Sequence, residues 1–430
     1  MTGAQLPPGL RVWRALTTLL TPFAPLLLRQ RAARGKEDRL RLAERLGIAS
    51  APRPDGRLVW IHGASVGESL AALPLVEKLL RDGYGVLVTS GTVTSAKLLA
   101  KRLPQTFGDQ RAIHQFVPLD TPRAVARFLD HWKPDAGLFV ESDLWPNLIL
   151  AAARRGVTLA LINARISARS AERWKRLPRS GARLIAAFDA VLAQDEEIAA
   201  RFAGLGARQV DVVGSLKADA PPLDCDAAAL AALKAQLGSR KLLIAAQTHP
   251  GEEETVLPAH DALRARFPDL LTIIVPRHVE RGADIAMLCG GRKPARRGAG
   301  DAVQAETQVY IADTLGELGL FYRLAPFCFI GGTLVKLGGH NPLEPAILNC
   351  AILAGPHRAS AAKAYEAILQ AQGFGAVETS RDIAREAARL LEEPALALAA
   401  GQAAARGAAT QAGAVGRSIA ILETLLRARA

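Results

Sequence analysis

Cysteine is scarce in this chain and poorly placed for metal or redox chemistry. Cys225, Cys289, Cys328 and Cys350 are the four in 430 residues, and no two stand in a Cys-x-x-Cys spacing. That argues against a disulfide framework or a structural zinc site and fits a reducing compartment. Aromatic residues make up only 5%. No RGG tract, zinc-finger spacing or aromatic-rich basic module is present, so nothing argues for nucleic acid as a partner. A Gly-x-x-x-x-Gly-Lys-Ser/Thr loop is missing, which disfavours a P-loop nucleoside triphosphatase. Gly-x-Ser-x-Gly is missing too, which disfavours an α/β-hydrolase. The apolar stretch Ala15–Leu28 falls short of the roughly 20 residues a membrane-spanning helix needs, and prolines 22 and 25 interrupt it.

What the chain does have is apolar bulk and positive charge. Half its residues are hydrophobic, and its length suits two domains of ordinary size. A formal net charge of +13 points to an anionic partner: nucleic acid, an acidic membrane surface or a phosphorylated substrate. The N-terminus sharpens that choice. After the apolar stretch comes a basic block of Arg29, Arg31, Arg34, Lys36, Arg39, Arg41 and Arg45. No small-residue cleavage site follows, so a signal peptide is poorly supported. A shallow membrane anchor held to acidic lipid by the arginines fits better. A soluble amphipathic helix covering the first domain is the alternative.

From residue 58 short β-branched apolar runs alternate with helical stretches. Strands are predicted at 58–64, 86–90, 115–119, 136–141, 159–163, 190–194 and 210–214. A linker with Pro221-Pro222 follows, and a second series is predicted at 241–246, 271–275, 308–312, 326–330, 351–353 and 374–377. Alternation of this kind implies two α/β domains on buried parallel sheets. Ligands of such sheets sit at the strands' carboxyl ends, which places a ligand in a cleft between the domains.

The loops at those ends hold the candidate chemistry. His62-Gly63-Ala64-Ser65-Val66-Gly67-Glu68 follows the first strand. Ser65 and Glu68 are spaced as a capping box, yet a carboxylate there also suits a general base towards an acceptor hydroxyl. Glu141-Ser142-Asp143-Leu144-Trp145-Pro146-Asn147 ends another strand. Asp143 has the position of a helix cap, and Glu141 is the better functional candidate. Thr248-His249-Pro250-Gly251-Glu252-Glu253 is weak evidence for a metal. Pro276-Arg277-His278 offers a cation to a phosphate oxygen. Thr314-Leu315-Gly316-Glu317 reads as a further capped helix start. Gly331-Gly332 and Gly338-Gly339 lead into Asn341-Pro342-Leu343-Glu344. Asn341 is read there as N-cap, Pro342 as the first helical residue and Glu344 as the third. That turn is either a plain cap or an anion site on unpaired N–H groups.

Taken together and in this order, these loops resemble the 3-deoxy-D-manno-octulosonic acid (Kdo) transferases of lipopolysaccharide biosynthesis. Arg-Leu-Ala-Glu-Arg-Leu-Gly at 41–47 and Gly214–Lys217 extend the match over nearly the whole chain. The resemblance implies a GT-B fold, an α/β architecture with two Rossmann-like domains facing across a cleft, behind an N-terminal membrane-anchoring helix. Residues 1–48 would form the anchor and basic segment, 49–214 the acceptor-binding domain, 215–224 the linker and 225–400 the CMP-sugar-binding domain. Helices of 401–430 would pack back on the first domain. It implies an inverting transfer of Kdo from CMP-Kdo to the distal glucosamine 6′-hydroxyl of a lipid A precursor (lipid IVA), without a metal or cofactor. Glu68 matches the catalytic base, and Glu141 and Lys217 match positions that stabilise the transition state. Pro276, Arg277, Gly316, Glu317, Leu318, Asn341, Pro342, Leu343 and Glu344 match the CMP-binding segments. Where many relatives have Glu-Thr-Glu this chain has Glu141-Ser142-Asp143, which puts a direct role for Asp143 in doubt. The expected location is the cytoplasmic face of the inner membrane, with the lipid surface as a partner and no nucleic acid. Two alternatives stand beside this: another GT-B transferase or an epimerase using a UDP-sugar, and a non-catalytic protein binding acidic lipid.

Overall fold

The structure is a computed structural model that describes residues 5–107 and 111–427; the outermost residues of the expected anchor and of the C-terminal segment lie outside these. The chain divides into two compact units, residues 1–220 with 412–430, and residues 221–411.

The first unit holds seven strands: β1 (Leu58–His62), β2 (Gly85–Ser90), β3 (Ala112–Phe116), β4 (Ala136–Val140), β5 (Thr158–Ala164), β6 (Ala190–Ala193) and β7 (Val210–Val212). All pair in parallel, in the order β3-β2-β1-β4-β5-β6-β7. β1, β2, β4, β5 and β6 are buried along their whole length. Helices cover both faces. Leu58 and Trp60 pack into one core layer with Phe128, Trp132 and Phe139, whereas Val59 and Ile61 pack into the other with Leu75, Val76 and Leu99. This is why the strands read as unbroken apolar runs rather than alternating ones. The helix Ala414–Arg427 joins the second of these layers through Leu422 and Leu426.

The second unit repeats the plan with β8 (Leu242–Thr248), β9 (Leu271–Pro276), β10 (Pro294–Arg296), β11 (Val309–Ile311), β12 (Phe327–Ile330), β13 (Ala351–Ala354) and β14 (Phe374–Ala376). They too are parallel, in the order β10-β11-β9-β8-β12-β13-β14. The helix Pro394–Ala409 belongs to this unit, with Ala397 in its core.

Thirteen of these strands coincide with predicted ones. β3 ends earlier than predicted: after Phe116 only Val117 still donates to Ser90 O, and Leu119 N turns to Arg45 O. β10 was not predicted. It is three residues long, starts on Pro294 and lies at the sheet edge, where proline is tolerated because one side of the strand needs no donor.

The N-terminal segment forms two short helices, Pro8–Leu20 and Ala24–Ala33, broken by a turn at Thr21–Phe23. Among the described residues no helix is long and apolar enough to cross a membrane. The basic block is not one surface. Arg31 pairs with Glu37 at 2.8 Å, and Arg45, itself buried, faces the same carboxylate at 3.4 Å. Arg41 grips buried Glu44, which also accepts from Phe116 N at 2.7 Å. The 41–47 motif therefore ties the segment to β3. Gly47 is required there: its φ is +79°, and a Cβ would lie 2.0 Å from Ala124 O. Arg29, Arg34, Lys36 and Arg39 remain exposed.

Candidate functional site

In each unit the strand order reverses at the middle of the sheet, and open α/β sheets bind ligands in the crevice outside the strand ends there. In the first unit the reversal lies between β1 and β4, whose following loops are 62–68 and 141–147. In the second it lies between β8 and β12, followed by 248–253 and 331–344.

Glu68 sits in the first turn of the helix Val66–Arg81. Its Oε2 accepts from Ala64 N at 2.8 Å and its Oε1 from the Ser65 hydroxyl at 2.7 Å, while Glu68 N donates to Ser65 Oγ at 3.3 Å. The Ser65 half of the capping box is therefore present, while the Glu68 carboxylate reaches the N–H one residue before the cap and stays half-buried rather than sequestered. Cap and base are compatible, because a carboxylate oxygen accepting one hydrogen bond still has a lone pair for a second donor.

Glu141 follows β4 with φ of +63°, an uncommon backbone state for a residue with a side chain. Its Oε1 accepts from Lys217 Nζ at 3.0 Å. Lys217 comes from the turn Leu216–Asp219, which Asn163 Oδ1 fixes by accepting from Leu216 N at 3.0 Å. The structure thus joins Glu141 and Lys217, 76 residues apart, in one ion pair.

Asp143 does not cap the next helix. That role belongs to Asp120, which accepts from Asn147 N at 3.1 Å and Leu148 N at 2.8 Å, and from the Trp13 indole at 2.7 Å. Burial pushes the Asp120 carboxyl up, against those three donors. Asp143 instead accepts from the Trp145 indole at 2.8 Å and faces His62 Nε2 at 3.1 Å. Burial works to raise its pKa, but the His62 and Trp145 contacts prevail and hold it below the usual carboxylate range. His62 is fully buried, and its Nδ1 lies 3.0 Å from Thr89 Oγ1. These two loops of the switch point are therefore braced against each other by a His–Asp contact that sequence reading missed.

In the second unit the first glycine pair opens a turn, residues 332–334, that is built around a carboxylate. Its N–H groups are already occupied by Glu252, whose carboxylate is fully buried. Gly332 N at 2.7 Å, Thr333 N at 3.0 Å, Leu334 N at 3.0 Å and His249 N at 3.0 Å all donate to it. Gly331 is needed because a Cβ would lie 2.3 Å from Gln247 O. The helix after the loop is one turn, Leu343–Ala346, entered through Pro342. Asn341 Oδ1 accepts from Leu343 N at 3.2 Å, and Pro342 and Leu343 are buried. Two polar side chains stand at this turn: Glu344 lies 3.5 Å from Asn341 Nδ2 and 3.4 Å from Gln247 Nε2.

Pro276 is the last residue of β9, and Arg277 after it is exposed and makes no ion pair among the described residues. Gly316 has φ of +84°. Glu317 is held by Arg297, with Nε at 2.6 Å, and by the Thr314 hydroxyl. The Arg297 hydrogen bond keeps its carboxyl below the ordinary value. The predicted capped helix start at Thr314 is absent: the helix Leu318–Tyr322 has Glu317 at its N-cap with no side-chain cap. His249, weighed as a metal ligand, pairs with His340 at 2.8 Å.

A family model described as 3-Deoxy-D-manno-octulosonic-acid transferase (kdotransferase) matches residues 40–220. The 3-deoxy-D-manno-octulosonic acid transferase of Haemophilus influenzae is 35% identical over 88% of this chain and 91% of its own length. The chain belongs to the 3-deoxy-D-manno-octulosonic acid transferase family. Another member, from Bordetella pertussis, is 34% identical over 95% of this chain and 97% of its own. A probable mitochondrial member from Arabidopsis thaliana is 36% identical over 89% and 87%. Among solved structures, a glycosyltransferase from Rickettsia africae superposes with a TM-score of 0.60, covering 87% of this Kdo transferase family member and 99% of that chain at 11% identity. A UDP-GlcNAc 2-epimerase from Neisseria meningitidis gives 0.56, covering 86% and 100% at 14% identity. These likenesses establish the GT-B-like fold, which serves transferases and epimerases alike and so does not choose the reaction.

Proposed function

We propose that this glycosyltransferase moves Kdo from CMP-Kdo to the 6′-hydroxyl of a lipid A precursor at the cytoplasmic face of the inner membrane. The observation that carries the reading is the Glu141–Lys217 pair beside the Glu68 loop at one switch point, in a chain of this family. Glu68 takes the proton of the acceptor hydroxyl as that oxygen attacks the anomeric carbon and the bond from this carbon to the phosphate oxygen breaks, CMP leaving with the electron pair. Its Ala64 and Ser65 partners orient it without neutralising it. Lys217 supplies positive charge where negative charge develops, and Glu141 holds the ammonium in place. The first unit is thus assigned the acceptor and the second the donor.

On the donor side Arg277 meets the phosphate of CMP, and Asn341 and Glu344 present hydrogen-bonding side chains to the ribose and base. Glu317 is engaged by Arg297. It braces the 314–318 turn, and contact with the nucleotide falls to the backbone of Gly316 and Leu318. Pro342 and Leu343, buried, shape the turn rather than touch the ligand.

The N-terminal helices are assigned to the membrane surface. Leu16, Leu19, Leu20, Phe23, Leu26 and Leu27 are all at least half exposed. Arg11, Arg14, Arg29, Arg34, Lys36 and Arg39 surround them as exposed cations. Exposed apolar side chains rimmed by cations suit an anionic interface. Competition binding tests the donor: CMP should displace a labelled cytidine nucleotide and UDP should not. Displacement by UDP alone would favour the UDP-sugar reading.

A further inference from the structure

His249 and His340 form an unusual pair. Their Nε2 atoms are 2.8 Å apart, the ring planes differ by 4°, and the ring centres are 5.1 Å apart. That separation is what two imidazoles joined end to end give. The rings are hydrogen-bonded in line, not stacked face to face. One proton must lie between the two nitrogens, since two lone pairs or two N–H groups would repel.

The pair is held from outside. His249 N donates to Glu252, His340 N donates to Gly331 O at 3.3 Å, and the Tyr365 hydroxyl donates to His340 O at 2.8 Å. Its surroundings are cationic. Arg277 acts on both rings and Arg281 on His249, and the His278 ring lies edge-on to His249 with centres 5.7 Å apart. Of the nearby carboxylates, Glu253 is taken up by Arg281 at 2.8 and 3.1 Å, Glu252 by four backbone donors, and Glu280 lies 3.7 Å from His278. Glu344 belongs to the Gln247 and Asn341 network. Burial, and then these cations, lower His249 and bring His340 down to about 4. Near neutral pH the pair is therefore uncharged, beside arginines and among carboxylates that are engaged elsewhere.

We propose that the His249–His340 pair is an anion receptor: it takes up one proton from solvent when the phosphate of a cytidine nucleotide binds, and the resulting shared imidazolium holds that phosphate together with Arg277. This rests on the assignment of the second unit to the donor. The bound phosphate adds negative charge beside the rings, which favours the protonated pair in the complex. No covalent bond changes; a proton moves from buffer to an imidazole nitrogen.

Isothermal titration of the full-length protein with CMP, in buffers of different ionisation enthalpy between pH 6 and 8, reads the proton directly. CMP bound as its dianion can only release protons, so net uptake must come from the protein. Expected is net uptake of about half a proton or more per CMP near pH 7, with affinity falling as pH rises. Cytidine should bind with no uptake. His340→Gln should abolish the uptake and weaken CMP roughly tenfold. His249→Gln should do the same and guards against one variant failing to fold. CMP binding in the wild-type protein without uptake, or with the same uptake in the folded variants, would overturn the receptor while leaving the donor assignment intact. No CMP binding at all would overturn the donor assignment and the receptor with it.

Discussion

Replacing Glu252 with alanine should loosen the glycine-rich loop more than any other single carboxylate change in the second unit. Four backbone N–H groups converge on this side chain. Gly332 and Thr333 are buried, whereas His249 and Leu334 reach the surface in part, so only the first two amides lose their partner without gaining water. A buried amide left unsatisfied costs about 1–3 kcal/mol, which gives roughly 4 kcal/mol for the two. Glu252→Gln keeps one accepting oxygen and turns an NH₂ towards the other pair of donors, so about 2 kcal/mol is expected. Hydrogen exchange read by mass spectrometry on a peptide spanning 327–346 resolves this. Tenfold per 1.4 kcal/mol makes exchange through local opening roughly 10³-fold faster in the alanine variant and about 30-fold faster in the glutamine one. Protection within about threefold of wild type in both variants would refute the view that this carboxylate organises the loop.

Three further outcomes are expected. Lys217→Ala should lower the rate of transfer by about 10²-fold or more yet change unfolding free energy by less than about 1 kcal/mol, because the Glu141 pair is partly exposed; a steady-state assay beside a urea melt checks both. Leu19→Glu with Leu26→Glu should reduce co-flotation with anionic vesicles and leave CMP binding unchanged, since both side chains point outward on the N-terminal helices. Acid should destabilise the protein well before carboxylates titrate. Burial holds His114 down to about 3 and His260 and His340 to about 4, so between the ordinary histidine value and those values the unfolded chain binds more protons. Stability then falls as pH drops below about 6.5, by up to about 1.4 kcal/mol per pH unit for each histidine. His260→Leu should flatten that slope in thermal melts from pH 8 to 5.

The parallel sheets were legible because strands buried on both faces leave long apolar runs, as Leu58–His62 and Phe327–Ile330 do. β10 was not, because Pro294-Ala295-Arg296 at an edge needs neither apolar side chains nor a full set of donors. Local spacing also located the loops that carry Glu68, Glu141 and Arg277, since each lies directly after a strand. It could not show what each polar side chain meets. Arg41 and Arg45 read as part of a lipid-facing block, yet Glu44 and Glu37 draw them inward. Asp143 has the position of a cap, yet Asp120, 27 residues before Asn147, caps the helix. The Gly331–Gly332 turn is organised by Glu252, a carboxylate from a loop 80 residues earlier in the chain. These partners are fixed by tertiary structure, where sequence spacing carries no information.

Glu68 as the base in a Kdo transfer is the central assignment. Mass spectrometry of the product made from CMP-Kdo and a tetra-acylated lipid A precursor tests it most directly, with wild-type protein and Glu68→Gln run side by side. The wild type should add Kdo to the precursor. The variant should form no product, or at least 10²-fold less, while binding CMP as tightly as the wild type. Kdo addition by Glu68→Gln at the wild-type rate would contradict the assignment of the base, and no Kdo addition by the wild type would contradict the proposed reaction.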